Sequence, residues 1–140
     1  MDEASISAAK LLTVIAESNY KMSRLANELR RNKNIAEVSV DFECSRNSNY
    51  FDYGTGSPYL FNWYLDASLA DGRSLAAIVE LFWDDQKWMV ESRIETPGDN
   101  GPISVFEPPD REANNIDDLV QILTTATAEV IKAASDRLLT

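Results

Sequence analysis

The sequence predicts an α+β fold, an antiparallel meander of four to five strands with long N-terminal and C-terminal helices packed on one face. Three observations carry that expectation. Helical periodicity marks both ends of the chain, alternation of apolar and polar residues marks its middle, and turn residues separate the alternating runs.

Over about residues 5–31, Ala4, Ala8, Leu11, Ile15, Ser18, Met22, Leu25 and Leu29 recur at intervals of three and four. Leu12, Val14 and Ala26 widen this stripe into the face of an amphipathic helix. At ~1.5 Å per residue such a helix is roughly 40 Å long. Because that exceeds the strands beneath it, the helix is expected to overhang them or to break near Ser18 and Asn19. Arg24, Arg30, Arg31 and Lys33 crowd its end, where cations complement the helix dipole.

A first strand is expected over 37–44, where Val38, Val40, Phe42 and Cys44 alternate with Ser39, Asp41 and Glu43. Cys44 is the one cysteine, on the apolar side, and no histidine exists to activate it, so it reads as a packed thiol. Residues 45–58 read as a loop rich in Asn, Ser and Gly, yet it carries Tyr50, Phe51 and Tyr53 as a candidate contact element. Its glycines lack the lysine of a phosphate loop and lead into a strand instead of a helix.

The central strands are expected over 59–70, 74–84 and 87–96. Side chains alternate between the two faces of a strand, and opposed residues share a face. Trp63, Leu65, Ala67 and Leu69 must therefore meet Leu75, Ala77, Val79, Leu81 and Trp83, which needs an odd first loop, Ala70-Asp71-Gly72. Trp88, Val90, Ser92 and Ile94 join the same face if the second loop is even, either the four-residue turn Asp84–Lys87 or Asp85-Gln86 closed by an Asp84/Lys87 pair.

The other face collects Tyr64, Asp66, Glu80, Phe82, Met89, Glu91 and Arg93, which with Tyr50, Phe51 and Tyr53 form the candidate partner-binding set. In this register Glu80 lies opposite Glu91, a pairing that opposes the sheet unless water or a cation intervenes. Prolines and glycines then punctuate 97–115, with a short fifth strand over 103–107 at an edge. Asn115 caps a closing helix over 116–139, whose small middle, Thr124–Ala128, predicts close approach to the sheet or to another helix.

A chain of 140 residues fits a single domain, 1–140. Its net charge is −10, unevenly distributed: residues 1–33 hold six basic and four acidic side chains, and the remainder seven and nineteen. Such a field repels phosphate backbones and anionic membranes and attracts cationic surfaces. The expected partner is another protein with a basic surface, with no nucleic acid and no membrane, and a homodimer is a further outcome. Without a signal-like start or paired cysteines, the chain reads as cytoplasmic.

No catalytic residue, cofactor or metal site is expected. The lack of histidine excludes Ser/His/Asp and Cys/His machinery. Asp84-Asp85 and Asp117-Asp118 lack the spacing of a calcium loop. Glu80 and Glu91 are the nearest carboxylate pair, but an open sheet face offers little to exclude water. The expected function is that of a non-catalytic acidic module masking a basic partner surface. The alternative is a carrier of small apolar ligands, with a cavity between helices and sheet. In size, charge and layout the chain resembles bacterial toxin-immunity proteins and the acidic chaperones of secreted effectors, a resemblance that implies masking of a partner protein.

Overall fold

In the computed structural model, which describes residues 2–44 and 59–139, the chain runs α1 (Glu3–Arg30), β1 (Ile35–Cys44), β2 (Tyr59–Leu69), β3 (Ser74–Asp84), β4 (Lys87–Thr96), β5 (Ile103–Phe106), β6 (Arg111–Ala113) and α2 (Ile116–Leu138). The strands form one antiparallel sheet in the order β1-β2-β3-β4. β5 and β6 both lie on the outer edge of β4, β5 against Ile94–Thr96 and β6 against Trp88–Val90. The fold is the expected α+β meander, and β6 is an addition to it.

α1 starts where the Asp2 carboxylate accepts a hydrogen bond from the Ser5 N–H at 2.8 Å, a side-chain cap on an otherwise unpaired donor. It continues unbroken past Ser18 and Asn19, so its excess length is met by overhang. Ala4 and Ala8 are exposed and Leu12 is 65% exposed, which corrects their place in the buried stripe. Burial begins at Val14 and continues through Ile15, Ser18, Met22, Leu25, Ala26 and Leu29. α2 begins at Asn115, whose side chain accepts from the Asp118 N–H at 2.8 Å.

The helices run in the same direction, as Lys10–Asp117 near their starts and Ser18–Thr127 further along make plain. Ser18 and Thr127 are both buried, and their hydroxyls hydrogen-bond to each other at 3.1 Å. The small residues of α2 therefore serve its approach to α1.

The register follows from two turns of opposite parity. Leu69 and Arg73 close the first hairpin through a Leu69 N–H to Arg73 C=O bond of 2.7 Å, leaving the three-residue loop Ala70-Asp71-Gly72. Gly72 has φ +94, a conformation that glycine adopts without steric cost. Asp84 and Lys87 close the second around Asp85-Gln86, both with positive φ (47 and 62), the signature of a type I′ turn. Trp63, Leu65, Ala67, Leu75, Ala77, Val79, Leu81, Val90 and Ile94 then share one apolar cluster with α1 and α2.

Three members of the expected buried set depart from it: Leu69, half-buried beside the first turn, and the two tryptophans of the β3–β4 hairpin. Trp83 is 43% exposed and Trp88 half-buried, because both stand at the β3–β4 hairpin end. They pack edge to face on each other, with centroids 4.7 Å apart, and Trp88 also rests against the core cluster.

Candidate functional site

The face turned away from the helices is a lattice whose rows can be read from the pairing. One row carries Ser39, Asp66, Ala76 and Glu95, the next Asp41, Tyr64, Ile78 and Arg93, and the third Glu43, Asn62, Glu80 and Glu91. Beyond them Phe82 opposes Met89. Antiparallel pairing thus brings Tyr64, Asp66, Glu80, Phe82, Met89, Glu91 and Arg93 onto one face. Tyr50, Phe51 and Tyr53 lie outside the described residues, as does the side chain of Cys44.

At the centre of this face a single guanidinium holds three carboxylates. Arg93 donates through Nε to Glu95 at 2.6 Å, through Nη1 to Glu91 at 3.1 Å and through Nη2 to Glu80 at 3.3 Å. The four side chains are only 19–25% exposed. Arg93 is thus the cation that makes the opposition of Glu80 and Glu91 tolerable. Burial opposes its charge, yet the Glu95 hydrogen bond and the carboxylates of Glu80, Glu91 and Glu95 outweigh that and raise its pKa.

One guanidinium does not neutralise the surroundings. The edge beyond β4 is interrupted between Phe106 and Arg111, because Pro108 and Pro109 cannot donate to a ladder. The interruption brings Asp110 within electrostatic reach of Glu91 and Arg93, and Glu107 within reach of Glu91 and Asp110. Burial, then the repulsion of Asp110, Glu80 and Glu107, raise the Glu91 pKa despite Arg93. Burial and then Glu107 raise that of Asp110 in the same way. Sequence reasoning missed Glu107 and Asp110, and the Pro108-Pro109 pair was the available signal.

Beside the cluster a groove of about 360 Å³ opens between Tyr64, Asp66, Ala76 and Glu95 on the sheet and Pro97 and Pro102 in the following loop. That loop is tight: a Cβ on Gly98 would meet Ile103 Cδ1 at 2.6 Å. The Tyr64 hydroxyl stays protonated beyond its ordinary range, first through burial and then through Asp66 and Glu95. Ile78, flanked in its row by Tyr64 and Arg93, is 2% exposed although it lies outside the helix-side cluster. The face is thus half-covered by its own long side chains.

Among the described residues no group of three or more His, Cys, Asp or Glu side chains is arranged to hold a metal ion, and no helix is long and apolar enough to cross a membrane. No protein-family model matches the chain, and no curated protein or solved structure matches it.

Proposed function

We propose that the protein is a non-catalytic acidic binding module that masks a basic surface of another protein, in the manner of immunity proteins or effector chaperones. The observation that carries this reading is the imbalance on the open face. Glu80, Glu91 and Glu95 share one guanidinium with Glu107 and Asp110 close by, and burial first, then repulsion among these carboxylates, raises the pKa of Glu91 and Asp110. A lysine or arginine from a partner relieves that repulsion, so binding draws on energy already stored in the free protein. Tyr64, Phe82 and Met89, all half-buried, add contact area around the charges.

The carrier alternative draws no support from the interior. Trp63, Leu65, Leu81, Ile94, Leu119 and Leu123 fill the space between sheet and helices at 0% exposure, and the 360 Å³ groove lies on the opposite face.

Affinity capture from the source cell followed by mass spectrometry is expected to return one dominant partner with a basic site. Glu80→Lys combined with Glu91→Lys abolishes that capture, and the gentler pair Glu80→Gln with Glu91→Gln weakens it. Unchanged capture by either pair, folded by circular dichroism, removes the sheet face from the account.

A further inference from the structure

The two edges of the sheet are finished differently. Beyond β4 the edge consists of four-residue β5 and three-residue β6, split by Pro108-Pro109. Arg111 ties β6 to Glu129 of α2, and Arg137 of α2 donates to the Val105 carbonyl of β5 at 3.0 Å. Short strands broken by proline discourage further pairing. β1, by contrast, is ten residues long without proline, and among the described residues it pairs only with β2.

The ladder fixes which backbone groups of β1 point outward. In an antiparallel strand the N–H and C=O of one residue address the same neighbour. Leu69 bonds Arg73, so the odd residues of β2 address β3 and the even ones address β1, as the Ala70 N–H to Asn34 C=O bond also requires. The β1 partners of those even residues are Glu37, Ser39, Asp41 and Glu43. Val38, Val40 and Phe42 therefore turn their backbone groups away from the sheet. Arg30 bears this out by donating to the Val38 carbonyl at 3.3 Å, and no such cap reaches Val40 or Phe42 among the described residues.

The side chains along this edge sort by face. Phe42, on the helix side, is 38% exposed, stacked on Phe61 at 5.6 Å with Trp63 at 5.5 Å. Ser39, Asp41 and Glu43 are exposed and continue the rows of the acidic face. We infer that the Val40–Phe42 edge accepts an extended basic segment of the partner as an additional strand. Apolar residues opposite Val40 and Phe42 rest on the aromatic shelf, and lysine or arginine residues between them stand against Asp41 and its row neighbours. Main-chain hydrogen bonds supply affinity, and the alternation supplies selectivity. A second copy of β1 fits poorly, because every antiparallel register centred on this stretch sets carboxylates among Glu37, Asp41 and Glu43 against each other.

This inference rests on the proposed basic partner and adds how that partner is held. The probe is a capped peptide of about eight residues alternating arginine and valine, compared with one of the same composition in two blocks. Both feel the same net charge, so a preference reports the strand. The alternating peptide is expected to bind at least about tenfold more tightly and to slow hydrogen exchange of the Val40 and Phe42 amides. Val40→Pro removes an outward N–H without touching the β2 ladder, and erases the preference. Equal binding of the two peptides overturns the inference, and so does undiminished preference in Val40→Pro. So does protection of the Val40 and Phe42 amides in the free protein, which means that residues 45–58 or a second copy already cover the edge. Binding lost with Glu80→Lys and Glu91→Lys but kept with Val40→Pro leaves the face and removes the edge; the reverse leaves the edge and removes the face.

Discussion

Glu91 holds its proton more tightly in the folded chain than its ordinary carboxyl value, through burial and then neighbouring carboxylates. A group whose folded pKa is raised contributes stability below its unfolded pKa and loses that contribution as pH rises through the folded value. Ionised Glu91 therefore works against the fold at neutral pH, even with Arg93 at 3.1 Å. Glu91→Gln is expected to be more stable than the parent in urea at pH 7, with the advantage disappearing below the carboxylate range. A variant that matches or falls below the parent at pH 7 would mean that the Arg93 bond outweighs the repulsion. The opposition of Glu80 and Glu91 was legible in the sequence, because parity alone sets it. Its relief by Arg93 was not, since a guanidinium reaches residues two positions away on its own strand and one strand over only once its rotamer is fixed by packing.

Among the elements, the β3–β4 hairpin carries the clearest local strain. Gln86 adopts φ +62 in a position where glycine is favoured, and Asp85 adopts φ +47. Gln86→Gly should raise stability by up to about 1 kcal/mol, measured as a shift of the urea midpoint at unchanged slope. A loss of stability would show that the Gln86 side chain makes a contact worth more than the backbone cost. The length of this loop was legible as an even number between Asp84 and Lys87, whereas the choice of two residues depended on strand twist. β6 escaped sequence reading because Arg111–Ala113 is too short to display a period. It forms only because β4 offers an unpaired edge there.

For the whole molecule, a net charge of −10 concentrated after residue 33 makes self-repulsion a global term. Raising salt from a few millimolar to physiological strength shortens the Debye length from tens of ångströms to about 8 Å. The melting temperature is expected to rise with that change. It should rise less for Glu91→Gln, which removes one charge from the crowded face. A melting temperature that falls with added salt would indicate that attractive pairs such as Lys10–Asp117 and Lys132–Asp136 dominate. The charge balance needed only the composition, but its focus on one face needed strand order, which brings Asp66, Glu80, Glu95 and Asp110 from four separate segments to one surface.

The sequence by itself determined the helix stripes apart from the overhanging first turns of α1, the strand register and the separation of apolar from charged sides, because these obey periods of 3.6 and 2 that act between near neighbours along the chain. Leu65, Val79 and Val90 lie under the helices for that reason, and Tyr64 and Glu80 do not. Only the tertiary structure decided that Arg93 would anchor three carboxylates, that Pro108-Pro109 would bring Glu107 and Asp110 to them, and that β1 would remain a long edge. Those outcomes depend on distances between residues far apart in sequence, which no local period specifies.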